Sequence, residues 1–146
     1  MKQTHILLLA VSLLISTSCE KPNTVPAKFE MRPVLGNSIE NDPTLGEIIV
    51  DNLDIADARV SLHEKRPCVK IRMTSGGSDK FAKFTELNVG TKIALLLNGE
   101  IMSSPLVQEP IYGGRALLTF PEGTTKEQAK KIAKGILLFK KSASKK

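Results

Sequence analysis

The chain has 146 residues, a formal net charge of +6, two cysteines, one tyrosine and no tryptophan. Its length allows one small domain. The positive charge would suit nucleic acid, but the stacking aromatics used by single-strand binders are missing, and the export signal at the N-terminus argues against that partner as well.

Met1 to His5 is a short charged start, Ile6 to Ile15 is apolar except for Ser12, and Ser16, Thr17, Ser18 and Cys19 follow. This is the layout of a secretory signal peptide over residues 1–18. A bilayer-spanning helix needs roughly 20 apolar residues, and no later apolar run is longer than Ile93 to Leu97. Cys19 after three small residues reads as the lipidation site of a lipoprotein, although Ser16 stands where such signals usually carry Leu. An ordinary secretory signal ending in a cysteine is the alternative. A diacylated Cys19 would hold the chain stably on a membrane. The expected location is therefore outside the cytoplasm, anchored at the cell envelope on its periplasmic face or at the cell surface.

Residues 19–46 contain Pro22, Pro26, Pro33 and Pro43 with Gly36 and Gly46. They read as a lipidated tether, with room for one short strand around Lys28 to Val34. The folded body is expected over residues 47–140, followed by a basic tail at 141–146.

Within that body Ile48 to Val50 is a short β-branched run, and Ala58 to Leu62 alternates up to a charged turn at His63 to Pro67. Cys68 to Met73 alternates cleanly, with Val69, Ile71 and Met73 on one face and Lys70 and Arg72 on the other. Cys68 shares the Lys70 face, so it is expected away from the deep core. Ser78 is positioned to cap a helix carrying Phe81, Ala82, Phe84, Thr85 and Leu87, which Asn88 and Gly90 stop.

Lys92 to Leu97 reads as a buried strand, and Asn98-Gly99 as a hairpin turn. The returning strand, Glu100 to Val107, is interrupted by Pro105, the mark of an edge or bulge. After a turn at Tyr112 to Gly114, Arg115 to Phe120 forms another strand. A last helix opens on a capping box, Thr124 with Glu127 or Thr125 with Gln128. Its apolar stripe is Ala129, Ile132, Ala133, Ile136 and Leu137. The eight lysines from Lys126 onward fit a solvated helix face with a frayed end, or contact with lipid headgroups.

The order predicts an α+β fold: a small antiparallel or mixed β-sheet with both helices on one face. For chemistry the pattern offers little. His63 is the lone histidine after the signal, without Cys or acidic partners at ligand spacing, so no metal or cofactor is expected. Asp51, Asp54 and Asp57 are spread through a loop, and Cys68 and the Ser103-Ser104 pair lack a base beside them. No catalytic residue is predicted.

The stretch from Phe81 to Phe139 resembles the head of the first periplasmic domain of SecD and SecDF, membrane proteins that assist the Sec translocon. The matching residues are Phe84, Thr85, Asn88 and Gly90; Ala94, Leu95, Leu97 and Gly99; Pro105, Ile111, Gly113 and Gly114; and Glu127, Ala129, Ile132 and Ala133. Asn98 stands where the family usually has Asp, which suits the same turn. Upstream, Asp57-Ala58 and Val69 to Met73 extend the likeness to residues 47–139. The family's membrane helices and base portion have no counterpart.

The resemblance implies a ferredoxin-like fold character and a module that engages exported polypeptides or Sec translocon components; an acylated Cys19 would hold that module to the membrane in place of the family's helices. The strand edge at Met102, Ser103, Ser104, Pro105, Leu106 and Val107 is the candidate contact for an extended segment. A structural or surface lipoprotein without a role in translocation is the alternative.

Overall fold

The computed structural model describes residues 24–36 and 43–143. Residues 1–18, read as a signal peptide, Cys19 and the last three residues of the expected basic tail lie outside them. Eight strands and two helices follow in order among the described residues. They are β1 (Phe29–Leu35), β2 (Thr44–Leu45), β3 (Val50–Asp51), β4 (Ile55–His63), β5 (Arg66–Met73), α1 (Ser75–Leu87), β6 (Ile93–Leu97), β7 (Glu100–Ser103), β8 (Arg115–Thr119) and α2 (Lys126–Ala143). A 3-10 turn, Asn52–Asp54, joins β3 to β4.

The fold is α+β, as the pattern implied, but the expected single sheet is two. One runs β2-β1-β6-β7, with β3 also on β1; the other runs β4-β5-β8. All pairings are antiparallel. Phe29, Met31, Ile93 and Leu95 of the first sheet meet Ala58, Val69, Ile71 and Leu118 of the second in one core. Phe81 of α1 and Ala129, Ala133 and Ile136 of α2 complete it. The α2 helix packs on β4 and β5, and α1 sits against β3, β5 and the 3-10 turn.

The first correction concerns the tether. The short strand allowed around Lys28 to Val34 is present as Phe29–Leu35, but it belongs to the fold and not to a tether ending at residue 46: it is the middle of the larger sheet, paired with β6 along Phe29 to Pro33. A proline in a central strand is unusual because it donates no ladder hydrogen bond. Here β3 pairs with Glu30 and Met31 and β2 with Val34 and Leu35, so Pro33 falls between two short partners. The Pro33 carbonyl accepts from Gly46 N–H at 2.8 Å on that side, where its missing donor would also have pointed. Nothing is lost by the proline.

Other local differences have similar causes. Thr74, not Ser78, caps α1: its hydroxyl accepts from Gly77 N–H at 3.1 Å. Gly76 and Gly77 lie in the first helical turn, and Gly77 must lack a side chain there because a Cβ would stand 2.7 Å from Asp54 Cβ. Leu87, at the last position of α1, is exposed. Cys68 is only 1% exposed despite sharing the Lys70 face. It is a small side chain on the middle strand, flanked in register by Ser61 and Thr119.

The Asn98-Gly99 turn forms as expected, with φ of 53° and 87°. At the start of α2, Thr125 and Gln128 make the reciprocal bonds, Thr125 N–H to Gln128 Oε1 at 2.7 Å and Gln128 N–H to Thr125 Oγ1 at 3.2 Å.

Candidate functional site: a groove between two sheet edges

Each sheet ends in a strand with no strand partner on one side among the described residues, β7 in the larger and β8 in the smaller. These two edges lie near one another. Between them opens a cavity of about 560 Å³. Its floor is Met31, Ile93 and Leu95, with Phe81 and Ile111 at the side. One wall is Ser103 to Val107 and the other is Arg115, Ala116, Leu117 and Thr119. No residue of β5 lines it, so the groove runs along the side of β8 turned away from its own sheet. The size is typical of a ligand-binding cleft, and the lining is mostly apolar.

The wall at Ser103 to Val107 is irregular and held from behind. A bulge separates the pairing Leu95–Ser103 from Leu96–Ile101, so Met102 is the extra residue. Past it, Pro105 O accepts from Ile93 N–H, Val107 N–H donates to Thr91 O, and Gly90 N–H donates to Val107 O. Bulge and proline together break up the row of edge groups on this wall.

The loop that follows is clamped to α1. Thr85, fully buried, accepts from Ile111 N–H at 2.9 Å and donates to Ala82 O at 3.0 Å. Asn88 Nδ2 donates to Phe84 O at 2.8 Å, closing the end of α1. Gly114 has a φ of 57°, and a Cβ there would meet Ser78 at 2.6 Å. Phe84, Thr85, Asn88, Ile111 and Gly114, among the residues that carried the family likeness, therefore help to hold this loop.

The second wall, β8, is a regular strand of five residues. Its other face belongs to the outer surface of the smaller sheet. There Asp57, Arg72 and Arg115 stand in register across three strands, next to Arg59, Lys70 and Leu117. They line a second concavity of about 530 Å³, and Arg115, Ala116 and Leu117 border both hollows. Asp57 pairs with Arg59 at 2.6 Å; among the described residues no carboxylate pairs with Lys70, Arg72 or Arg115.

The other candidate residues are dispersed. Of the expected contact edge Met102 to Val107, Ser103 to Val107 form the first wall and Met102 is the bulge residue behind it, with Val107 buried and Leu106 half exposed. His63 is exposed at the end of β4. Asp51 caps the 3-10 turn, accepting from Leu53 N–H at 2.7 Å, and Asp54 pairs with Lys80 at 2.9 Å. Burial pushes the Cys68 thiol above its ordinary pKa, with Lys70 and a backbone hydrogen bond to Ser61 opposing, so the group is a poor nucleophile at neutral pH. Among the described residues no cluster suited to a metal occurs, and no helix is long and apolar enough to cross a membrane.

Sequence reasoning missed Asn52, which sits in what reads as a polar loop, Asp51-Asn52-Leu53-Asp54. It is buried and makes three bonds: its Oδ1 accepts from Phe29 N–H at 2.8 Å, and its Nδ2 donates to Ala27 O and Ile136 O, both at 3.0 Å. It thereby ties the start of β1 to α2, the helix that covers the smaller sheet.

Residues 34–138 match the family described as SecDF, P1 head subdomain. The chain belongs to this family. SecD of Acidaminococcus fermentans, a protein translocase subunit, is 37% identical over 75 residues, 51% of this chain and 18% of that protein. SecDF of Thermus thermophilus is 34% identical over 91 residues, 61% of this chain and 12% of that protein. The chain thus spans less than a fifth of the length of these relatives.

A solved structure of SecDF, described as a membrane component that enhances protein export, superimposes with a TM-score of 0.66 at 25% identity. It covers 78% of this chain and 63% of that one. SecDF in its super-membrane-facing form gives the same TM-score at 26% identity, over 78% of this chain and 19% of that one. Strand β1 begins ahead of the matched segment, so the SecDF P1 head of this chain includes a strand that the family match covers only in its last two residues.

Proposed function

We propose that this chain is a non-catalytic binding module of protein export, anchored to a membrane outside the cytoplasm, that takes an extended segment of an exported polypeptide or of a Sec translocon partner into the groove. The observation that carries the reading is the apolar groove running along β8, a regular strand whose groove side has no strand partner among the described residues. An extended segment can add to such an edge through main-chain hydrogen bonds, which do not depend on sequence, while the apolar floor receives alternate side chains. A module that handles many exported chains needs this tolerance.

Membership of the SecDF P1 head family and relatives named as translocase subunits support the connection to export. The non-catalytic reading is supported by how the candidate groups are used: Asp51, Asp54 and Asp57 are occupied in a cap and two ion pairs, and Cys68 is buried. Cys19 supplies the anchor through acylation, and the basic face of α2 remains in solvent.

The test is site-specific photocrosslinking in intact envelopes, with the reactive group at Leu117, on the β8 strand that borders the groove, and at exposed Leu62 as control. Recovery of nascent exported chains or Sec components at Leu117 but not at Leu62 is expected. Equal or no recovery would leave the chain a structural surface lipoprotein. Palmitate labelling of wild type and Cys19→Ala tests the anchor separately, and label that survives the substitution overturns it.

A further inference from the structure

The two faces of β8 differ in chemistry. Ala116 and Leu118 share the register row of Ile71 and Val69 and face the core, whereas Arg115, Leu117 and Thr119 share the rows of Arg72, Lys70 and Cys68 and face outward. Any strand added to the free edge of β8 inherits this division, because successive side chains point to opposite faces. Its even residues would face the apolar groove over Leu95, Phe81 and Ile111. Its odd residues would lie on the outer surface beside Arg115, with Arg72 and Lys70 one strand further on.

That outer surface has excess positive charge. Four cations, Arg59, Lys70, Arg72 and Arg115, stand there with Asp57, which is already paired to Arg59 at 2.6 Å. Opposite charges directly across an antiparallel pair attract, and like charges repel. Arg72 and Lys70, a strand spacing beyond, lie within the screening length of about 10 Å at 0.1 M salt. The larger sheet shows the contrast, since its buried carboxylate Glu30 is matched by Lys28 at 2.8 Å and Arg32 at 3.3 Å.

Resting on the groove reading above, we propose that the groove selects extended polypeptide segments in which apolar residues alternate with acidic ones, the acidic side chains lying on the Arg115 face. Basic segments are disfavoured there by repulsion, so the selection has a repulsive element as well as an attractive one. Affinity for the favoured class falls with added salt.

The test uses the full chain and three labelled ten-residue peptides with identical apolar residues and Glu, Gln or Lys at the alternate positions, followed by fluorescence anisotropy. At low salt the Glu peptide is expected to bind about tenfold tighter than the Lys peptide, with Gln between them. The gap should narrow as salt rises. Arg115→Glu should invert the order, and Arg115→Gln should shrink it, each variant first checked for a native circular dichroism spectrum.

Equal binding of all three peptides overturns the selectivity and leaves the groove reading standing. Binding of none overturns both. A peptide order untouched by Arg115→Glu, with loss of that variant's binding to phosphatidylglycerol vesicles relative to wild type, would assign the basic face to lipid and overturn the proposal.

Discussion

The two walls of the groove are both sheet edges, yet they are built in opposite ways. The wall from Ser103 to Val107 is bulged, carries a proline and is bonded from behind to Gly90, Thr91 and Ile93. The β8 wall is a plain strand, paired on one side only among the described residues. An edge left regular and unpaired invites pairing with another chain, and proteins usually disrupt such edges. One edge here is disrupted and the other is not. The difference points to β8 as the receiving strand and to Ser103 to Val107 as the fixed wall that bounds it.

Charge divides the two sheets in the same sense. On the larger sheet Glu30 is buried between Lys28 and Arg32. On the smaller sheet Lys70, Arg72 and Arg115 are left without a carboxylate among the described residues. The carboxylate of the larger sheet is already enclosed by its two cations, whereas the three cations of the smaller sheet are those the proposal above gives to acidic side chains of a bound segment.

Breaking the link between the sheets should have the largest effect. Asn52→Ala removes three bonds that join β1 to α2 and strands the buried Phe29 N–H and Ala27 O, at a cost of about 3 kcal/mol in urea unfolding. Loosening the fixed wall comes next. Thr85→Val keeps the shape but leaves Ile111 N–H without its acceptor, costing about 2 kcal/mol and raising amide exchange in the loop before β8. An unchanged exchange rate there would show that the wall does not depend on Thr85.

A third substitution sharpens the comparison by stabilising the smaller sheet. Its hairpin turns at Glu64 and Lys65, both left-handed with φ of 48° and 65°, where the larger sheet uses Asn98-Gly99 in the same conformation. Replacing the pair with Asn-Gly should raise stability by about 1 kcal/mol, read as a higher Tm. The smallest effect concerns Glu30. Burial alone would raise its pKa, but hydrogen bonds and charge from Lys28 and Arg32 outweigh burial and hold the carboxyl below 4.5. A depressed carboxylate stabilises the fold above its unfolded pKa, and that contribution is lost as the pH falls through the folded value. Glu30→Gln should therefore flatten the decline in stability below pH 4.5.

Elements governed by local rules were legible in the sequence. Lys70 and Arg72 alternate with Val69 and Ile71, Asn98-Gly99 turns the chain, and Thr125 with Gln128 starts α2. What was not legible depends on partners distant in sequence. Nothing near Pro33 indicates that β2 and β3 stop on either side of it. Nothing near Asn52 indicates that Phe29 and Ile136 converge on its amide. Lys70 and Arg72 were visibly on one face, but the addition of Arg59 and Arg115 required the register of three strands. The groove followed only in part: the Met102 to Val107 wall shows in Pro105 and the paired serines, whereas β8 looks like any short strand until its missing neighbour is seen.

The most direct measurement is hydrogen exchange of the full chain with and without the Glu-bearing alternating peptide. Protection is expected to concentrate in Arg115–Thr119, with little change across Glu100 to Val107. Protection confined to Glu100 to Val107, or none on either wall while the peptide is bound, would contradict it.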